Sequence, residues 1–289
     1  MATKSRYPTG VHPLLADETA RRRRIEARFV DIFADAGFAE VVLPIIDYVE
    51  PYAALVDSAA AKQSYRFVDR EGDLVAIRSD FTPMLARALA PALSQEALPL
   101  RLFYRGDVIR VEASRLGTNR ELFQIGAEIV GDGSIDADVA MLRLAADLVN
   151  EPAVVYNDVS IAAVLIAQSG AVREALAEKR MTSGVPAALQ TIVSKLISGQ
   201  ATLDDVAPFA PEAAARLCAI GDALAGNDTF VLHLDDVDDI GYYTGLRFRV
   251  YAGSARAKVA QGGRYDTLYE RFGQPAAAIG FTFTIDDLD

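Results

Sequence analysis

An α+β fold is predicted, with an antiparallel sheet flanked by helices and a helical module spliced into the chain. Three features carry this. Alternating apolar and polar runs come in pairs around short polar loops, most clearly at 102–112 and 121–128. Apolar residues at helical spacing separate these pairs. From about Ser160 to Asn227 the composition shifts to Ala, Leu and Ile at helical spacing, and strand-like runs resume only at Phe230.

Residues 14–36 read as a helix, with Ile25, Phe29, Ile32 and Phe33 on one stripe and Gly37 at the C-terminal cap. A strand at 39–43 stops at Pro44. Residues 65–69 and 74–78 form a hairpin around the turn Glu71-Gly72-Asp73. Thr82-Pro83 opens a helix to about Leu89, because proline is tolerated in a first helical turn. The long hairpin follows, its loop carrying Gly117 and Asn119, and Val139, Leu142, Ala146 and Val149 then mark a helix packed on the sheet. Gly170, Gly184, Pro186, Pro208 and Pro211 punctuate the helical module. Further strands are expected at 230–234, 242–251, 257–261 and 278–285. The expected organisation is a first core segment (1–159), a helical insertion (160–228) and a second core segment (229–289), without repeats.

Of 289 residues, 51% are hydrophobic, enough for a substantial core, and the net charge is -11. That charge argues against a broad phosphate-backbone footprint, so no nucleic-acid partner is expected. The run Arg21-Arg22-Arg23-Arg24 is flanked by Glu18 and Glu26 and reads as a solvated helix face. Cys218 is the sole cysteine, which excludes an intramolecular disulfide, and its Ala-rich surroundings suggest a buried thiol. His12 and His233 show no metal-ligand spacing, so neither a metal nor a cofactor is expected. The polar, basic start has no apolar run behind it, and no charge-free stretch approaches membrane-spanning length. A cytoplasmic protein without a membrane partner is expected.

On the return strand of the long hairpin, Gln124, Gly126 and Glu128 share one face; Phe123, Ile125, Ala127 and Ile129 take the other. An amide, a missing side chain and a carboxylate describe a ligand floor, to which Arg110 on the outgoing strand adds a positive charge.

These residues, in this order, resemble the catalytic core of the class II aminoacyl-tRNA synthetases, and among them histidyl-tRNA synthetase. Gly37-Phe38-Ala39-Glu40-Val41 to Pro44 is similar to the first motif, which implies a dimer interface. The long hairpin is similar to the second motif. Asp239-Ile240-Gly241-Tyr242-Tyr243-Thr244-Gly245 and Gln261-Gly262-Gly263-Arg264-Tyr265-Asp266 resemble the two histidine signatures, and Ala278-Ile279-Gly280-Phe281 the start of the third motif. The resemblance spans nearly the whole chain and is weakest in the insertion.

That resemblance implies a histidine pocket. Asp80 and Thr82 would hold the ammonium through charge-assisted bonds. Gln124 would hold the amino-acid backbone, Glu128 and Tyr243 the two ring nitrogens, and Tyr242 would form a wall, with Arg110 as a nearby cation. Gly262-Gly263 would let backbone approach the ligand. Each feature also has an ordinary reading: Tyr242-Tyr243 as a core-and-surface pair, Gly262-Gly263 as a turn, Asp80 as a helix-start carboxylate.

Departures from the synthetase pattern remove the catalytic cations. Asp238 stands where the histidine signature carries an Arg that supports charge at the reacting phosphate, and a carboxylate there repels the anions. Asp286 and Asp287 match the Glu-Arg pair that closes the third motif, and Gly241 replaces an Asp. With the chain ending at Asp289, the rest of the third-motif helix and an anticodon-binding domain are expected to be lacking. No catalytic residues are therefore expected.

The resemblance thus points to the synthetase-like paralogues that accompany the short form of ATP phosphoribosyltransferase in histidine biosynthesis. In that family the paralogue forms a hetero-octamer with the short-form catalytic subunit, is needed for its activity and transmits feedback inhibition by histidine, without making bonds itself. Two other readings stay open: a minimal enzyme forming an aminoacyl-adenylate for a non-tRNA acceptor, and a stand-alone histidine-binding protein.

Overall fold

The computed structural model describes residues 7–55, 64–111, 119–235, 241–253 and 258–288. Asp238, Asp239, Ile240, Gly117 and Asp289, and the side chain of Asp287, lie outside the described residues. The chain divides into two compact units, one of residues 1–131, 267–276 and 280–289, the other of residues 132–266 and 277–279.

The first unit opens with α1 (Ala16–Asp35), whose first turn carries Asp17 and Glu18, suited to the positive end of the helix dipole. Phe29 and Phe33 are fully buried. Gly37 follows the cap at φ +79°, a conformation glycine adopts without strain. Next come β1 (Ala39–Glu40), β2 (Ile46–Tyr48), β3 (Arg66–Val68), β4 (Leu74–Ile77), α2 (Thr82–Leu89), β5 (Leu100–Ile109) and β6 (Glu121–Val130). β2, too short to register as alternation, joins β4 and β3 in a small antiparallel sheet. β5 and β6 form the long hairpin, in register from Leu100↔Val130 to Ile109↔Glu121.

The second unit contains α3 (Ile135–Asp147), β7 (Ala153–Asp158), α4 (Val159–Gln168), α5 (Gly170–Ala177), α6 (Ala187–Ile197), α7 (Leu203–Val206), α8 (Pro211–Ala223), β8 (Phe230–Leu232), β9 (Leu246–Tyr251) and β10 (Lys258–Arg264). The Ser134 hydroxyl accepts the Ala137 N–H at 3.1 Å and caps α3. Asp158 caps α4, its Oδ1 accepting the Ser160 N–H at 2.9 Å, so the composition shift coincides with a capped helix start. Strand order in this unit is β10-β9-β7-β8. β11 (Ala278–Thr284), which belongs to the first unit from Gly280 onward, follows β6 in the order β1-β5-β6-β11.

The α+β class holds, but the sheet is not purely antiparallel. β1 runs parallel to β5, and β7 parallel to β8. Each pair is joined by a long connection, that from β7 to β8 carrying α4–α8, and such crossovers permit parallel pairing. The strand expected from residue 242 begins at Leu246. Gly262 and Gly263 lie within β10, opposite Phe248 and Arg247, and not in a turn. Cys218 is exposed, since α8 turns Ala213, Ala214, Leu217 and Ile220 inward and points the next position outward.

The face of β6 expected as a ligand floor is closely packed at Gly126. A Cβ at Gly126 would lie 2.5 Å from the Phe281 carbonyl oxygen and 2.6 Å from the Tyr104 hydroxyl. The missing side chain makes room for the opposite strand's tyrosine. Gly126→Ala is expected to cost about 1–3 kcal/mol by overpacking, read as a lower midpoint in denaturant.

Candidate functional site

Register builds the first unit's polar cluster. Directly opposed residues share a face, so Tyr104, Gly106, Gln124, Gly126 and Glu128 all project to the side covered by α2. Phe81, immediately before α2, stacks on Tyr104 with ring centroids 4.5 Å apart. Glu128 is 0% exposed. Its Oε1 accepts the Thr82 hydroxyl at 2.8 Å and the Tyr104 hydroxyl at 3.0 Å. The Tyr104 hydroxyl also lies 2.7 Å from Thr282 Oγ1. Glu128 Oε2 is buried and has no hydrogen-bond partner among the described residues.

Burial raises the Glu128 carboxyl from the ordinary 4.5 to about 8, and the charge of Asp80 adds to the rise against the two hydroxyl bonds. Burial lifts the Tyr104 and Tyr269 hydroxyls well above 10, helped by the negative charge of Glu128. The folded chain thus binds the Glu128 proton more tightly than the unfolded chain does. The stability this gives is full below about 4.5 and is lost as pH rises through about 8. Denaturation between pH 5 and 8.5 should show a steeper loss in the wild type than in Glu128→Gln.

The structure brings Asp80, Thr82 and Glu128 into one electrostatic cluster. Asp80 Oδ1 accepts the Thr82 N–H at 3.2 Å, so the helix-start reading of this carboxylate also holds. Gln124 is buried on the same face, opposite Gly106. Arg110 lies one residue beyond β5, its N–H bonded to the Arg120 carbonyl, and its buried Nε has no hydrogen-bond partner among the described residues. Tyr104, Tyr269 and Thr282 complete the cluster and were not picked out from the sequence. A bulky residue alternating with glycine across a hairpin was the available signal for Tyr104.

Tyr242 and Tyr243 belong to the second unit, in the turn before β9, half-buried, with ring centroids 5.1 Å apart. Arg247 lies under Tyr243, Cζ 5.7 Å from the ring centroid, and Tyr242 meets Tyr265 edge-on at 5.7 Å. A Cβ at Gly263 would lie 2.4 Å from the Leu246 carbonyl oxygen and 2.8 Å from Tyr243 Cδ1, so this glycine admits the neighbouring backbone and the tyrosine ring. The two signature segments are bonded to each other: the Thr244 N–H donates to the Arg264 carbonyl at 2.8 Å, and the Asp266 N–H to Thr244 Oγ1 at 3.0 Å. Arg264 turns away from the tyrosines into a buried ion cluster with Asp138.

Asp286 is ion-paired. Arg22 Nη2 lies 2.6 Å from its Oδ1, the Phe123 N–H donates to its Oδ2 at 2.9 Å, and Arg21 reaches its carbonyl. The Arg21–Arg24 run is therefore only partly a solvated face: Arg23 and Arg24 are exposed, while Arg21 and Arg22 anchor the segment after β11. The same α1 surface holds buried Glu26, whose Oε1 accepts Arg105 Nη1 at 2.8 Å.

A cleft of about 510 Å³ in the first unit is lined by His12, Arg22, Arg78, Asp107, Asn119 and Glu121, among others, and by none of the expected pocket residues. Asp107 and Ile109 alternate with Val108, so this cleft opens on the opposite side of the hairpin from Tyr104. Asp80 lines a smaller cavity of about 80 Å³ with Arg66, Ser79 and Met84. Among the described residues no helix is long and apolar enough to cross a membrane.

A family model described as histidyl-tRNA synthetase matches residues 10–288. An ATP phosphoribosyltransferase regulatory subunit from Symbiobacterium thermophilum is 32% identical, the alignment covering 99% of this chain and 79% of the relative. One from Anaeromyxobacter dehalogenans is also 32% identical, covering 96% and 89%. A crystal structure from Bacillus halodurans, described as an ATP phosphoribosyltransferase regulatory subunit/histidyl-tRNA synthetase, superposes with a TM-score of 0.85 at 25% identity, over 99% of this chain and 83% of that one. The fold alone is shared with apo histidyl-tRNA synthetase of S. aureus, at a TM-score of 0.71 and 19% identity, over 98% and 72% of the two chains. With the family model matching nearly the whole chain and regulatory subunits related to it at 32% identity, the chain belongs to the histidyl-tRNA synthetase family, in its group of ATP phosphoribosyltransferase regulatory subunits.

Proposed function

We propose that this chain is a non-catalytic regulatory subunit of ATP phosphoribosyltransferase that binds histidine and passes its occupancy to the catalytic subunit. The observation that carries the histidine assignment is Glu128, a fully buried carboxyl whose Oε2 has no hydrogen-bond partner among the described residues of a first unit that also holds Asp80, Thr82 and Gln124. An unsatisfied buried acceptor costs free energy, which a ring N–H would recover. Asp80 and Thr82 suit an ammonium, and Arg110 the carboxylate end. The non-catalytic reading is supported by the sequence at Asp287, a carboxylate where the third motif carries the Arg that holds the ATP tail.

The partner is the short-form catalytic subunit, in a hetero-octamer. Histidine shifts that complex toward its inhibited arrangement only by binding the two arrangements with different affinity. Self-association as a dimer is supported by an apolar surface in the first unit: Val42 is 90% exposed, and Ile45, Ile46, Tyr48, Phe67, Val68 and Leu74 are exposed on or beside the small sheet.

Co-expression with a short-form catalytic subunit tests the proposal. A stable complex, a gain in transferase activity and loss of that gain with added histidine are expected. Histidine-dependent ATP–pyrophosphate exchange by the isolated chain would overturn it in favour of an adenylate-forming enzyme.

A further inference from the structure

The geometry of Glu128 bears on which ring the site accepts and in what charge state, on the reading of that site as a histidine pocket. Its Oε1 is saturated by the hydroxyls of Thr82 and Tyr104, and Tyr104 is itself held by Thr282 Oγ1. Its Oε2 is sealed from water without a partner among the described residues. Among the described residues of this unit, the titratable groups acting on it are Asp80 before α2, Tyr104 on β5 and Tyr269 in the 3-10 helix Tyr269–Phe272, and none of these supplies positive charge. A buried anion with an unmet oxygen and a second carboxylate nearby is costly, and a neutral carboxyl removes that cost.

We propose that Glu128 carries a proton in the ligand-free chain and hands it to the ring of the incoming ligand, so that the site selects a neutral aromatic nitrogen base and holds it as a cation. The Oε2–H bond breaks and a ring N–H bond forms at the unprotonated nitrogen. No proton enters or leaves the solvent, and the ring cation and carboxylate are left as a charge-assisted pair. An imidazole suits this exchange because its basicity, near pH 6.5 in water, is close enough to that of the buried carboxyl for the pair to tip it. Rings of the same shape without that basicity leave the proton on Glu128.

The proton inventory sets the pH dependence. Between about 6.5 and about 8 the ring arrives neutral and the carboxyl protonated, so binding exchanges no net proton. Below that window the ring arrives already charged, one proton must leave, and affinity falls about tenfold per pH unit.

Titration calorimetry of the full chain with histidine, in buffers of different ionisation enthalpy from pH 5 to 8, reads both quantities. Expected are near-zero proton exchange at pH 7.2, the tenfold fall per unit at low pH, and binding of a triazole-alanine analogue at least about tenfold weaker than histidine at pH 7.2. Release of close to one proton at pH 7.2, or equal binding of the triazole, would overturn the proton hand-over while leaving the histidine pocket intact. Carbon-13 carboxyl spectra of the ligand-free chain, with Glu128→Gln assigning the signal, give an independent reading. A carboxyl titrating above pH 7 is expected, and one titrating below 5 sinks the inference. No histidine binding at any pH overturns the proposed function and the hand-over together.

Discussion

Arg264→Leu is expected to destabilise the folded chain by about 3–5 kcal/mol, measured by chemical denaturation. Arg264 is 2% exposed, and its Nε and Nη2 both donate to Asp138 Oδ1, at 2.9 and 2.6 Å. Its Nη1 reaches the Asp132 carbonyl and Asp266 Oδ1, each at 3.1 Å. The Asp266 carboxylate in turn accepts the Ala278 N–H at 2.9 Å. Asp138 is 0% exposed, and without Arg264 only Arg216 among the described residues offsets its charge. Removing both charges, as in Arg264→Leu with Asp138→Asn, should cost less than the sum of the single changes, because no orphaned buried ion is left. This residue sits in a histidine signature, yet its work is to hold that segment to the start of α3.

Glu128→Ala is expected to weaken histidine binding by about 1–3 kcal/mol, roughly five- to 150-fold, in titration calorimetry at pH 7.2. The substitution removes the acceptor for the ring and leaves the Thr82 and Tyr104 hydroxyls without their shared partner. Tyr104→Phe should weaken binding less, since Thr82 still holds Oε1. Affinity unchanged in Glu128→Ala would place histidine elsewhere, and the pocket would have to be abandoned. Cys218→Ser, exposed on α8, serves as the surface control and should match the wild type.

The site was partly legible in the sequence. Alternation over 121–128 placed Gln124, Gly126 and Glu128 on one face, and the register agrees. Alternation does not say what covers a face. Tyr104 fills the space over Gly126 and α2 closes the side, so the carboxylate of that floor is an enclosed acceptor. The two glycines of the second signature were expected to let backbone approach a ligand; at Gly263 the close neighbours are the Leu246 carbonyl oxygen and the Tyr243 ring. A glycine marks a close approach without identifying what approaches. Cys218 was misplaced because an Ala-rich helix has a weak apolar stripe, so composition does not tell which side faces inward.

What the sequence by itself determined is local or ordered along the chain: the elements with strong periodicity, the hairpin, the helix-rich segment after β7, and a succession of motifs sufficient to assign the family. What only the tertiary structure decided is the set of partners joined across long separations. Thr82 meets Glu128 from 46 positions away, Tyr104 meets Thr282 from 178, and Arg22 meets Asp286 from 264. Periodicity arises from the repeat of a single helix or strand and fixes the direction of a side chain relative to its neighbours. Which distant group satisfies a buried carboxyl depends on how elements pack, and only that packing left Glu128 Oε2 without a hydrogen-bond partner among the described residues.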